Sequence, residues 1–184
     1  MLRDILGRFH GDGSLKAFAC VDAAQVPAPY HGILVNEEHL TKTLMDRHGT
    51  IDVRVVEVQR GEGGVYARRI YLANSESKLV AHAILIAYLD RLPAPVKKGV
   101  LEEGIPFGKL LMDHVKERCV RLKAFWRVDQ SLGDEGGFGV GTDHESEASR
   151  MTYGRTVVID CDGVAAAEVL EVLPREYLDA AAGR

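Results

Sequence analysis

Between Ile51 and Leu89, three strand-like segments succeed one another with only tight turns between them, and any fold for this chain must accommodate that run. Ile51 to Gln59 alternates and stops at Gly61-Glu62-Gly63-Gly64, a composition suited to a hairpin turn. Val65 to Leu72 pairs back, and Asn74-Ser75-Glu76-Ser77 makes the next turn. Leu79 to Leu89 is long and almost wholly apolar, the pattern of a central strand. Links this short leave no room for a crossover, so successive strands run antiparallel.

Lys123 to Val128, Thr156 to Ile159 and Ala165 to Leu173 read as further strands, with Cys161-Asp162-Gly163 turning before the last. Helix signals appear at two inserts. In the first, Asn36 reads as N-cap, Glu37 and Glu38 occupy the first turn, and Gly49 comes after Arg47 and His48 as the stop. Leu40, Leu44 and Met45 would form its buried stripe. The second runs from Lys109 to about His114, after Gly104-Ile105-Pro106-Phe107-Gly108. Asp90 to Pro95 reads as a break, and Val96 to Lys98 with Leu101 as the connection after it. Without a βαβ rhythm the class is α+β, in one domain over residues 1–184.

Residues 1–30 read as an arm packed on that domain: Leu2, Ile5, Leu6 and Phe9 have helical spacing, and Pro27-Ala28-Pro29 interrupts the chain further on. Residues 130–150 are polar, acidic and rich in glycine. Gly137-Phe138-Gly139-Val140-Gly141 has the look of a phosphate loop but lacks a strand-to-helix setting, so a mobile surface loop is the better reading.

Composition narrows the partners. A net charge of −4 argues against nucleic acid or an anionic membrane. No stretch approaches the roughly 18 unbroken apolar residues of a membrane span, and Asp4 falls where a signal peptide would build its apolar core, so the expected location is cytoplasmic. Cys20, Cys119 and Cys161 are too scattered for a disulfide framework or a zinc site. Glu37-Glu38-His39 and Asp113-His114 suggest metal ligands only superficially, since their places at helix ends explain them; no metal is expected. The chain reads as a monomer or weak dimer.

Chemistry then rests on a few residues. By period two, Tyr66, Arg68, Ile70 and Leu72 share one face of their strand, which puts a guanidinium among inward apolar residues. Burying it is costly without an anion. An internal salt bridge and a bidentate clamp on a ligand carboxylate serve equally well. The last strand carries Glu168 and Glu171 on opposite faces, so a regular strand sends at most one inward, and parity does not choose between them. A carboxylate against apolar walls would have its pKa raised and could exchange a proton. His82, in phase with Ile84 and Ile86, is a candidate pocket wall.

In order and spacing, these segments resemble the chorismate pyruvate-lyase family over roughly residues 30–175. Leu40-Thr41-Lys42-Thr43-Leu44 looks like the family's Met-Thr-Lys segment. Arg68 with Arg69-Ile70-Tyr71-Leu72 is similar to its arginine strand, and Pro106-Phe107-Gly108-Lys109 to its Pro-Leu-Gly segment. Arg155-Thr156 and Cys161-Asp162-Gly163 mark its closing hairpin, and Glu171-Val172-Leu173-Pro174 its final strand. The resemblance implies a six-stranded antiparallel sheet with helices on one face and an internal ligand cavity. It implies that the enzyme releases pyruvate from chorismate, leaving 4-hydroxybenzoate or another hydroxybenzoate, without a cofactor. Arg68 would hold the ring carboxylate, and Glu171 would meet the ring hydroxyl and the departing ether, with Glu168 as the fallback. Leu40, Thr41, His82 and Phe107 would line the pocket. Phe107 stands where the family usually has Leu, and His82-Ala83 where some members have Gly-Arg. Two rivals remain: a sensor domain that binds an aromatic carboxylate without chemistry, and a lyase or cyclase acting on a different carboxylate.

Overall fold

A computed structural model describes residues 1–10, 12–130 and 151–175. Its frame is one antiparallel sheet of seven strands: β1 (Phe18–Val21), β2 (Ile51–Arg60), β3 (Val65–Asn74), β4 (Leu79–Tyr88), β5 (Arg118–Asp129), β6 (Met151–Cys161) and β7 (Val164–Val172). Their spatial order is β1-β5-β6-β7-β4-β3-β2. The hairpins β2–β3–β4 and β6–β7 form where the glycine-rich and Asn/Ser turns require them. Gly63, Gly64 and Gly163 take positive φ, so the first and last of these turns need glycine. The fold is α+β with a large antiparallel sheet.

Seven strands replace the expected six. Phe18-Ala19-Cys20-Val21, inside the arm, pairs with Val128 to Phe125 as an edge strand. It is short and its two central residues are exposed, so backbone hydrogen bonds rather than an alternating apolar pattern hold it.

Helices α2 (Ala28–Leu34), α3 (Leu40–His48), α4 (Ala94–Glu102) and α5 (Phe107–His114) cover one face of the sheet. Their Tyr30, Ile33, Leu40, Leu44, Val96, Val100, Leu110 and Leu111 join Ile70, Leu72, Leu85, Val157 and Val169 in the larger core. The expected restriction of helices to that face does not hold. Helix α1 (Leu2–Leu6) lies on the other face, where Leu2, Ile5 and Leu6 bury Ile84, Ile86, Leu170 and Val172. Strand β4 is therefore covered on both sides, which accounts for its nearly unbroken apolar run.

Three helix starts differ from the sequence reading. Pro27-Ala28-Pro29 and Pro93-Ala94-Pro95 open α2 and α4 instead of breaking the chain, because a first-turn proline lacks only an N–H that has no helical acceptor anyway. Helix α3 begins at Leu40 with His39 at the N-cap position, not at Asn36. Asn36 instead closes the end of α2, donating from Nδ2 to Ile33 O at 2.9 Å, and its Oδ1 accepts from the Glu38 amide at 3.0 Å. Among the described residues no helix is long and apolar enough to cross a membrane. The stretch read as a surface loop lies, apart from Gln130, outside the described residues.

Candidate functional site

The sheet register decides which predicted residues can meet. Ala83 pairs with Glu171, and Leu85 with both Arg68 and Val169, so Arg68, Ile70, Leu72, Ala83, Leu85, Val169 and Glu171 share the helix-covered face. Helices α3 and α5 close over them. The pocket between is lined by Leu40 and Thr41 of α3, Phe107 and Gly108 of α5, and Glu171 with the apolar residues of the floor. Both helices begin at its wall without a side-chain N-cap bond. First-turn amides there lack helical acceptors and suit negative charge.

Two of the predicted residues lie elsewhere. His82 and Glu168 belong to the opposite face, with Ile84, Ile86, Leu170 and Val172. His82 is buried edge-on to Tyr71 at 4.9 Å between ring centroids, so it is no wall of this pocket. Glu168 accepts from Tyr88 Oη at 2.8 Å. Of the two acids left open by parity, Glu171 lines the pocket.

Glu171 does not face only apolar walls. Arg155 Nε donates to its Oε2 at 2.6 Å. The same guanidinium donates from Nη1 to Leu34 O at 2.9 Å and Asn36 O at 2.8 Å, and from Nη2 to Glu38 O at 2.9 Å. Arg155 thus stitches Glu171 to the segment leading into α3. Its three carbonyl partners lie in the segment just before α3, which starts at Leu40. Sequence reasoning saw Arg155 only as part of a hairpin. Its signal is the alternation with Val157 and Ile159 on β6, which places a guanidinium on the core face. Glu171 Oε1 has no hydrogen-bond partner among the described residues.

Arg68 is fully buried, and burial pushes its pKa below the ordinary arginine value. Nη2 donates to Ile105 O at 3.2 Å, just before α5, while Nε and Nη1 have no acceptor among the described residues. Tyr66 and Glu103 oppose that shift, and Glu103 accepts from Tyr66 Oη at 2.8 Å. Burial, with that bond second, drives the Tyr66 hydroxyl up to about 12. Arg68 sits at the pocket's edge: its neighbours Ile70 and Leu85 line the space, and its own side chain does not.

A residue that sequence reasoning assigned to helix capping completes the site. His39 lines the pocket, is 7 % exposed, and has no hydrogen-bond partner for either ring nitrogen among the described residues. Burial pushes its imidazole down to about 4, reinforced by the charges of Arg118 and Arg155 and opposed by Glu38. It also borders a surface cleft of ≈ 240 Å³ lined by Lys42, Lys116 and Arg118.

The free volume of the pocket is ≈ 40 Å³. That holds about three water-sized spheres, not the substituted six-membered ring for which an internal cavity was expected. A ring enters only if side chains such as Phe107 swing aside.

No protein-family model matches the chain, and no curated protein matches it. Among solved structures, the fold is similar to that of the possible transcriptional regulator YydK from Bacillus subtilis subsp. subtilis str. 168. The identity is 8%, the TM-score 0.48, and the match covers 79% of this chain and 65% of that one. This chain therefore spans a little under two thirds of the regulator's length, and the likeness assigns it no family.

Proposed function

We propose that the protein binds an aromatic or cyclohexadienyl carboxylate between the sheet and helices α3 and α5, and that with chorismate it releases pyruvate to leave a hydroxybenzoate. The observation that carries this reading is Arg68. It is a wholly buried guanidinium with Nε and Nη1 unmatched among the described residues, set beside an apolar pocket that holds a carboxylate on its floor. A structural arginine would have its acid in place. A ligand carboxylate is the complementary partner for such a planar fork.

On regular sheet geometry, Arg68 and Glu171 are two strands and two residues apart, about 12 Å between Cα atoms. Their side chains can then address opposite ends of one flat ring. The reaction asks little more. The ether C–O bond breaks with its electron pair leaving on the enolpyruvyl oxygen, a ring C–H gives up its proton, and the freed pair completes the aromatic sextet. The departing enolate takes up one proton, the equivalent of the one the ring lost, and becomes pyruvate. Orientation and charge balance supply the catalysis, and no cofactor is required. Because Glu171 is paired with Arg155, its part is to accept through Oε1 from the ring hydroxyl, not to donate a proton. A product that fits the same arginine leaves slowly.

Incubation with chorismate, following pyruvate and hydroxybenzoate together, tests this. Stoichiometric appearance of both is the expected result, and Arg68→Met should lower ligand affinity by about 2–5 kcal/mol. Hydroxybenzoate binding without turnover would sink the lyase reading and leave a sensor. Full affinity in Arg68→Met would remove the arginine from the site.

A further inference from the structure

We infer that His39 reads the oxygen substituent of the ring, so that it sets the preference of the site for a hydroxylated ligand. This rests on the proposed function for the existence of a ring ligand and goes beyond it in naming a residue and the group it recognises.

The first observation is an unmet need. A neutral imidazole offers one donor and one acceptor. Both nitrogens of His39 are buried without a partner among the described residues, on a side chain that lines the pocket. Leaving such atoms unmatched costs free energy that a ligand can restore. Burial holds the ring neutral near pH 7 and therefore keeps both functions available.

The second observation is position. Arg155 donates to Glu38 O and to Glu171 Oε2 with the same guanidinium, so the peptide entering His39 is tied to the carboxylate end of the pocket. Arg68 lies at the other end, against Ile105 O.

The third is stoichiometry of hydrogen bonding. Glu171 Oε1 can only accept, whereas a hydroxyl has one proton to give and lone pairs to receive another. Donation of that proton to Glu171 Oε1 leaves the lone pairs facing a donor, and His39 supplies one. Without the hydroxyl, two unmatched groups remain together, which is the arrangement that discriminates most strongly against an analogue lacking it.

The test separates the hydroxyl from the carboxylate. Benzoate and 4-hydroxybenzoate are titrated against wild type, His39→Leu and His39→Gln, and phenol and toluene are added to wild type while the imidazole ¹⁵N resonances are monitored. Expected are tighter binding of 4-hydroxybenzoate than of benzoate, and a loss of about 10- to 100-fold for 4-hydroxybenzoate alone in His39→Leu. Partial recovery is expected in His39→Gln. Phenol should move the His39 nitrogens and toluene should not. Equal losses for both acids, or nitrogens that phenol leaves unmoved, would overturn the assignment. If neither acid binds wild type while phenol still moves His39, the lyase reading falls and this one stands. If both acids bind and the hydroxyl preference survives in His39→Leu, the reverse holds.

Discussion

Arg155 and Arg68 lie on the same face of the same sheet, and both side chains are fully buried. Arg155 finds a carboxylate and the carbonyls of Leu34, Asn36 and Glu38; among the described residues Arg68 has Ile105 O and the neighbouring Tyr66, and no carboxylate bonded to it. The first pattern is how a fold tolerates a buried cation: its desolvation is offset by charge-assisted bonds in every direction. The second leaves the cost standing, which is sensible only where something else supplies the anion. Burial of an arginine therefore says little; the fraction of its donors that the protein itself satisfies separates a clamp from a receptor.

The largest expected effect breaks that contrast directly. Arg155→Met leaves Glu171 without its cation and three carbonyls without a donor, so unfolding in urea should show a loss of about 3–5 kcal/mol. Arg68→Met removes a cation that the fold barely serves, and its stability should be unchanged or slightly raised while carboxylate affinity falls. Equal destabilisation in the two variants would show that Arg68 is structural.

Histidines on the two faces make a second, somewhat smaller comparison. His39 beside the pocket and His82 under the arm are both pushed down to about 4, burial being the main cause for each. Below the ordinary value near 6.5 the unfolded chain binds protons that the native chain refuses. Stability should therefore fall from about pH 6.5 to about pH 4 and take no further loss from these groups below that. The expected size is roughly 3 kcal/mol for each histidine. Denaturation across this range, comparing wild type with His39→Gln and with His82→Gln, isolates the two shares. An undiminished slope in both variants would show that neither imidazole stays neutral.

The sheet was legible because hairpin turns and alternation are local signals. Arg68 could be placed inward from period two alone, and its burial agrees with that parity. Glu171 could not be separated from Glu168, because both alternation classes on β7 are apolar: Ala167 and Val169 face one core, Leu170 and Val172 face the other. Only the pairing with β4 and β6 resolves them. Both Pro-Ala-Pro segments misled for one reason. Proline forbids helix interiors and favours helix starts, and the residues C-terminal to it decide between the two. Val96 and Val100 were four apart but flanked Gly99, whose role emerges only in space, where a side chain would strike Leu110 of α5. His39 was hidden by its neighbours, since next to Glu37 and Glu38 it reads as part of a polar helix end. The pocket is the least legible feature, because its size depends on how closely α3 approaches α5.

That approach supplies a smaller effect, again as a pair. A Cβ on Gly108 would lie 2.7 Å from Thr41 Oγ1 and 2.9 Å from Thr41 Cβ, contacts near the backbone of α3 that cannot rotate away. A Cβ on Gly99 meets the end of the Leu110 side chain, which can turn. Gly108→Ala should cost about 1–3 kcal/mol and push α3 from α5 at the pocket wall. Gly99→Ala should cost less and leave ligand affinity alone. Thermal denaturation with 4-hydroxybenzoate titration reads both, and Thr41→Gly combined with Gly108→Ala should recover most of the loss.

The smallest expected effect comes from the acid pair on β7. Glu168→Gln keeps an acceptor for Tyr88 Oη on the partly exposed face, so the change should cost no more than about 1 kcal/mol and leave ligand binding untouched. Glu171→Gln changes the floor of the pocket and the only carboxylate partner of Arg155 among the described residues. Its ligand affinity should fall and its stability with it, toward that of Arg155→Met. Because the two glutamates are three residues apart on one strand, a disturbance of β7 as a whole would touch both alike. A loss of hydroxybenzoate binding in Glu168→Gln equal to that in Glu171→Gln would mean that strand integrity, not the facing carboxylate, governs the site.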